Sequence, residues 1–349
     1  MLVIVDTAKI KQNITKARLL AGKSKISGVV KTNAYGHGLG LIDRIESELD
    51  SLSVCSIAEA LSLDTTKPIH VLGSILSHYD GHLLPNIMLA IERGITLTIS
   101  DPESYKAIIL AASYTTRPAS VELKANTGMN RLGLTLRQLK DIVPALMGNP
   151  KVRLTGIFSH LADGIDTTFC ELQLARFLQA VSLVPNGLHR HICATNFVGL
   201  SPSFRLDGIR LGIGMYGYGC DEFCPAMTAM GHVVQINTLY KGDRIGYGRT
   251  IAPHTTRSAT IDFGYGDGVP RALSKGVGKL QIGGSFYPII GTVCMDMTMV
   301  NIGSAPINVG DKAYYLSPGQ TCQALANLTD SIPYEIMTSL SLKANYRYI

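Results

Sequence analysis

Tryptophan is missing altogether from this chain of 349 residues, and no stretch interleaves basic with aromatic side chains. That removes the stacking platforms on which single-stranded nucleic acids lie, so no nucleic-acid partner is expected. Long apolar runs are missing too. None approaches the roughly 18 consecutive apolar residues of a bilayer span, and Asp6 interrupts Met1–Val5 too soon for a secretory leader. A cytoplasmic protein without membrane contact is expected. The seven cysteines (Cys55, Cys170, Cys193, Cys220, Cys224, Cys294, Cys322) are odd in number and scattered, unlike a disulfide framework, so reduced thiols are expected. Cys220 and Cys224 could open a zinc site, but no second Cys or His pair of suitable spacing follows, and no metal is expected. The net charge of +6 gathers partly in Lys9, Lys11, Lys16, Arg18, Lys23 and Lys25. Ile10, Ile14, Ala17 and Leu20 fall at helical spacing in the same segment, which makes these cations the solvated side of an amphipathic helix capped by Asp6 or Thr7.

With 46% hydrophobic residues, the chain can bury a barrel and a second domain. Up to about residue 220, short apolar runs alternate with longer helical patterns, as when crossover helices join parallel strands. Eight runs qualify as strands: 27–31, 52–56, 69–73, 96–99, 120–124, 155–160, 191–195 and 209–215. Eight such units make an α/β fold, a TIM (β/α)8 barrel over residues 1–225. The carboxyl ends of its strands would gather Lys31, Lys124, His160 and Thr195 on one face, with Arg210 misplaced near the start of its run. Residues 226–349 read as a mostly β domain divided by Gly, Pro and Asp turns. Val293, Met295, Met297 and Met299 alternate with Cys294, Asp296, Thr298 and Val300, the period of a strand with one packed face.

Lys31 ends an apolar run in Val29-Val30-Lys31-Thr32-Asn33-Ala34-Tyr35-Gly36-His37-Gly38. An ammonium desolvated at a barrel mouth loses proton affinity and can form a Schiff base with an aldehyde cofactor. A lysine snorkelling to the surface would occupy the same position. Tyr265, in Asp262-Phe263-Gly264-Tyr265-Gly266-Asp267-Gly268, reads on its own as an apolar residue between turn glycines. Its phenol would need a lowered pKa to act as a base near neutrality. His189 and His191 suggest a metal pair, although hydrogen-bonded structural histidines fit the pattern better.

Taken together, these segments resemble the alanine racemases, fold-type III pyridoxal-phosphate enzymes, in order and over nearly the whole chain. The resemblance implies that Lys31 carries pyridoxal 5'-phosphate and that Tyr35 helps bind its phosphate. Thr195 and the backbone at Gly212 and Ile213 would contribute to the same phosphate site. Lys124-Ala125-Asn126-Thr127-Gly128-Met129-Asn130-Arg131 is similar to the segment whose arginine orients the substrate carboxylate, so Arg131 is the substrate-side candidate, and Lys124 aligns with a lysine carbamylated in some members. His160 would join a hydrogen-bond network between the catalytic tyrosine and Arg210, with His191 beside that arginine. Arg210, in Arg210-Leu211-Gly212-Ile213-Gly214-Met215-Tyr216-Gly217, would face the pyridine nitrogen and disfavour its protonation, which suits rapid reprotonation. Gly291-Thr292-Val293-Cys294-Met295-Asp296 resembles the segment that reaches into a second subunit. A homodimer with shared sites is thereby implied, each combining one barrel with Tyr265, Met295 and Asp296 of the other chain.

Two departures stand out. The family's Asn-Ser pair on the seventh strand is Ala194-Thr195 here, and Leu342 stands where a phosphate-touching tyrosine is common, with Tyr346 a shifted alternative. The implied activity is racemisation of L- and D-alanine by two bases, Lys31 and Tyr265, supplying D-alanine for peptidoglycan. A serine or broad-specificity amino-acid racemase on the same scaffold is the alternative. A decarboxylase of the same fold type would pair the pyridine nitrogen with a carboxylate instead of Arg210. A non-catalytic cofactor carrier would not need Tyr265.

Overall fold

The computed structural model describes residues 1–349 except 77–81, 165, 198, 200, 341 and 342. The chain starts with strand β1 (Leu2–Val5) and helix α1 (Thr7–Ala21). Asp6 caps this helix by accepting from the Lys9 amide at 3.1 Å. Ile10, Ile14 and Ala17 are buried beneath it as the spacing requires. Its cations are not all solvated, however. Arg18 pairs with Asp50 at 2.8 Å, and Lys16 donates to the Glu222 carbonyl.

Seven more runs of parallel strand follow to residue 194: β2 (Lys25–Val29), β3 (Ser51–Val54), β4 (Ile69–Val71), β5 (Leu97–Ile99), β6 (Ala119–Lys124), β7 (Val152–Phe158) and β8 (His189–His191), which runs through Ile192 into β9 (Cys193–Ala194). β10 (Gly208–Leu211) pairs with both β9 and β2. Pairing runs β4-β3-β2-β10-β9 on one side and β5-β6-β7-β8 on the other, and the His70–Thr96 bridge joins β4 to β5. The ring is therefore closed, a (β/α)8 barrel. Capping boxes at Ser56/Glu59, Asp101/Ser104 and Thr135/Gln138 open three of its helices, fixing the turns by which the chain leaves the carboxyl ends of the strands.

Several strands end earlier than their apolar runs suggest. β2 stops at Val29, β7 at Phe158 and β10 at Leu211. Residues just beyond turn into the mouth loops, so Lys31, His160 and Thr195 follow strand ends, while Arg210 lies inside a short strand, one residue from its end.

The second domain is built on β11 (Met227–Leu239), which pairs antiparallel with β1, with Lys312–Leu316 and with Thr256–Ile261. β1 also runs parallel to Asn345–Tyr348. Residues 2–5, counted with the barrel in the sequence reading, thus belong to this sheet. The expected strand across Val293–Val300 is also corrected: only Thr298–Asn301 is strand. The preceding residues bend, with the Cys294 amide donating to Met297 O at 2.9 Å, and Met295 and Met297 are exposed instead of packed.

Candidate active site

One cavity at the carboxyl ends of the barrel strands is lined by Lys31, Tyr35, Lys124, Arg131, His160, Thr195, Arg210, Gly212 and Ile213. His191 lies deeper, behind Arg210. Tyr265, Met295 and Asp296 are not among the described lining residues; they sit together on the second domain.

Lys31 is half-buried and opens a left-handed turn in which Thr32, Asn33, Ala34 and Tyr35 all have φ between 52° and 54°. For L-residues this conformation costs on the order of 1–2 kcal/mol each, so the surroundings must hold it. The Thr32 amide donates to Glu59 Oε1 at 2.7 Å, the Ala34 amide to Val30 O at 2.9 Å, and Asn33 Nδ2 to Tyr346 Oη at 3.1 Å. At Gly36 a Cβ would lie 2.1 Å from Met337 O, so the helix Pro333–Ser339 clamps the turn only because glycine stands there. Tyr346 is thereby placed under the turn, in the strand beside β1, and not in the cavity lining. Leu342 lies outside the described residues.

The wall opposite is a concave run of backbone. Thr195 Oγ1 accepts from the Gly212 amide at 3.0 Å and the Gly214 amide at 3.2 Å. A Cβ at Gly212 would come 2.9 Å from Tyr35 Oη. Tyr35 is buried and stacked on Tyr216 at 4.9 Å, and burial followed by Tyr334 holds its phenol well above the usual range. A neutral hydroxyl, a threonine and the Gly212–Gly214 turn that Thr195 holds form a concave cradle that a side chain at 212 would crowd.

Arg210 is the buried centre of the site. Nη1 donates to His191 Nδ1 at 2.6 Å, and Nη2 to Ser159 O at 2.7 Å, His160 Nδ1 at 3.1 Å and Ile192 O at 3.1 Å. Both histidines must accept, since a guanidinium only donates. Burial, then Arg210, brings His160 down to about 3, and the same two causes hold His191 well below the imidazole range. Burial also lowers Arg210 itself, to about 10. It remains the cation at neutral pH, among neutral rings. Lys124 is lowered to about 8 by burial, then by Arg210 and Arg131, and its Nζ donates to Leu72 O at 3.0 Å. Arg131 stands exposed on the rim in a loop tied back by Leu134 N to Lys124 O at 2.7 Å.

On the second domain, Tyr265 is 42% exposed. The Tyr265 amide donates to Cys294 O at 2.9 Å and the Gly266 amide to Met295 O at 2.8 Å, so one turn presents Tyr265 and the Met295-Asp296 bend side by side. A Cβ at Gly264 would meet Cys294 O at 2.1 Å, which explains the glycine before the tyrosine. Lys343 pairs with Asp296 at 2.9 Å.

Residues 5–219 match the family model of the alanine racemase N-terminal domain, and residues 226–348 that of the alanine racemase C-terminal domain. The chain belongs to the alanine racemase family. It is 31% identical to the alanine racemase of Vesicomyosocius okutanii over 356 residues, covering 99% of this chain and 97% of that protein. The Pasteurella multocida alanine racemase is 33% identical over 361 residues, with 99% and 97% covered. Among solved structures, the alanine racemase of Clostridium difficile 630 superposes with a TM-score of 0.90 at 27% identity, covering 99% of this chain and 95% of that one. The alanine racemase of Bartonella henselae, a structure with covalently bound pyridoxal phosphate, shares the fold at a TM-score of 0.88 and 24% identity, over 100% and 99% of the two chains.

Some lining residues of this alanine racemase family member went unmarked in its sequence. Tyr334 lies 5.9 Å from Tyr35 by ring centroids and lines the cavity with Ile332, Cys55 and Asn196. An amide therefore does stand on the wall where Ala194 lacks one, at Asn196. Tyr334 opens a helix beyond the β-rich stretch, and only its proximity to the left-handed turn marks it. Glu122, buried next to His191, also went unmarked, although a carboxylate inside an apolar strand is a signal.

Proposed function

We propose that this chain racemises L- and D-alanine with pyridoxal 5'-phosphate carried by Lys31, working as a homodimer in which the second domain of each subunit, residues 226–349 with the strand Leu2–Val5, completes the barrel site of the other. The observation that carries this reading is the convergence of Lys31, Tyr35, Arg131, His160, Thr195, Arg210 and Gly212 on one cavity.

The residues fit the cofactor. The cradle at Gly212, Ile213, Thr195 and Tyr35 suits a phosphate, and Lys31 stands across the mouth as the amine. When bound, pyridoxal phosphate supplies the electron sink that acidifies the substrate Cα–H. Arg210 would be the cationic donor towards the pyridine nitrogen, and its neutral neighbours His160 and His191 hold it without competing for charge. Lys31 exchanges the α-proton on the D side. The partner subunit's Tyr265 exchanges it on the L side, because a single base fixed on one face cannot both remove and return a proton across the plane. Arg131 and the partner's Met295 orient the substrate carboxylate, with Lys124 and the partner's Asp296 in support. D-alanine for peptidoglycan is the product such an enzyme would supply.

The test is optical rotation followed from each alanine enantiomer with purified, cofactor-loaded protein, with serine and lysine in parallel. Equal end points from both alanine enantiomers are expected. Faster turnover of serine than alanine would move the substrate assignment, and turnover of none would sink the reading.

A further inference from the structure

The floor of the barrel carries a polar cluster that does not line the cavity. β4, β6 and β8 are alternate strands of the ring, and alternate strands fill one interior layer, ordinarily with branched aliphatic side chains. Here they contribute His70, Glu122 and His191, all buried. Glu122 Oε2 lies 2.6 Å from His191 Nε2 and 3.6 Å from His70 Nδ1. Gly156 on β7 makes room for the carboxylate: a Cβ there would lie 2.8 Å from Glu122 Cδ. Three such groups could be counted as metal ligands. The 2.6 Å separation argues otherwise, because ligand atoms around a tetrahedral ion with bonds of about 2.0–2.1 Å stand roughly 3.3 Å apart. His191 also faces the Arg210 cation with its other nitrogen.

Proton accounting then sets the direction. Arg210 can only donate, so His191 Nδ1 accepts from it at 2.6 Å. The neutral ring has one proton left, on Nε2, and gives it to Glu122 at 2.6 Å. His70 is held on its far side, with Nε2 against Thr98 Oγ1 at 3.1 Å; the Thr98 hydroxyl is already committed to Val71 O at 2.6 Å. Among the described residues Arg210 touches no carboxylate directly. Its countercharge lies one imidazole away.

We infer that Glu122 is a positioning residue for the reaction proposed above: by taking the Nε2 proton of His191 it strengthens His191 Nδ1 as the acceptor that fixes the Arg210 guanidinium, and it supplies the anion that balances Arg210 across a neutral ring. A carboxylate does the same for a metal-bound histidine, orienting it and raising its basicity. The effect on turnover rests on the racemase reading; the hydrogen-bond chain does not.

The test pairs Glu122→Gln with Glu122→Leu in the full chain. Proton NMR with 15N-labelled histidine should show a far-downfield His191 Nε2–H resonance in the unsubstituted protein. Glu122→Gln, which keeps the shape and an acceptor oxygen, should move it upfield, and Glu122→Leu should abolish it. Alanine kcat should fall by about tenfold to a hundredfold in Glu122→Gln, the range for losing a partner that orients a ligating histidine, with KM changing much less. An unmoved resonance in Glu122→Gln would overturn the inference, as would a moved resonance with unchanged kcat. Absence of racemisation in the unsubstituted protein would instead defeat the racemase reading, and the resonance would still decide the chain.

Discussion

Tyr35 and Tyr265, both drawn into the proposed reaction, live in opposite surroundings. Tyr35 is buried, stacked at 4.9 Å on Tyr216, and held protonated by burial. Tyr265 is 42% exposed on a glycine-framed turn of the second domain. The contrast extends to their neighbours. Around Arg210 the donors find partners inside one chain, whereas Tyr265, Met295 and Asp296 point outward together. A buried tyrosine is suited to giving one fixed hydrogen bond; an exposed one can acquire its working environment from another surface. On the proposed reading, the barrel half is finished by folding, and the other half would be finished by association.

The sharpest way to break this comparison is to disable each half separately. Lys31→Ala should cut alanine racemisation by several orders of magnitude, and Tyr265→Phe by about 10² to 10⁴-fold. Mixed under conditions of demonstrated subunit exchange, the two inactive proteins should regain activity, because one of the two heterodimer pockets keeps both groups. Exchange without recovery would mean that the two halves meet within one chain.

Tyr265→Phe alone sharpens it further. Solvent deuterium should still enter D-alanine through Lys31, while exchange into L-alanine falls with racemisation; mass spectrometry of each enantiomer reads this directly. Equal exchange from both would move the second base to another residue.

Acid should attack the buried half first. Burial holds His37 and His70 at about 4 and His160 at about 3, all below the unfolded value of about 6.5. Between these values the unfolded chain binds the proton and the folded one does not, so stability is full above about pH 6.5 and falls as pH drops towards 4. The slope is up to about 1.4 kcal/mol per pH unit for each such histidine. Urea midpoints at pH 7, 6 and 5 should decline accordingly, and a flat series would show that these imidazoles are not buried in solution.

Smaller effects test the cradle and the outward patch. Gly212→Ala should weaken cofactor binding about tenfold, or about 1.4 kcal/mol, since its methyl meets Tyr35 Oη at 2.9 Å. A fluorescence titration reads the loss, and unchanged binding would show that the Gly212–Tyr35 wall does not face the phosphate. Asp296→Asn, which breaks only the exposed pair with Lys343, should leave the melting temperature where it is. A measurable drop would show that Asp296 supports the domain itself.

Much of this is legible in the sequence. Eight strands can be counted because buried parallel strands are near-continuous apolar runs, and Lys31, His160 and Thr195 close such runs, although the strands themselves stop one or two residues earlier. Arg210 looked misplaced because its run, Ile209 to Met215, continues past the strand's end at Leu211 into a buried turn, and hydrophobicity does not distinguish the two. The alternation at Val293–Val300 misled for a related reason. Period two reports a strand only when a ladder partner is present, and the Tyr265 turn takes the Cys294 and Met295 carbonyls instead. Tyr334 depends on contacts across the fold, which spacing does not carry, whereas Glu122 is marked in the sequence as a carboxylate inside an apolar strand. The membership of Leu2–Val5 in the second domain's sheet was equally hidden, since its partners lie more than 220 residues away.

That strand has a consequence for how the molecule comes into being on the ribosome. Val3 pairs with Ala229 on one side and with Tyr346 on the other, so a segment synthesised before the barrel is among the last to be fully bonded. The barrel helices and strands can assemble as they are synthesised, while Leu2–Val5 waits with both edges open. It gains its first neighbour when β11 appears and its second only when residues 345–348 are free of the exit tunnel. Chains stalled between those points would expose one apolar strand edge, the kind of template that recruits other chains, and these nascent species are where chaperone contact should concentrate.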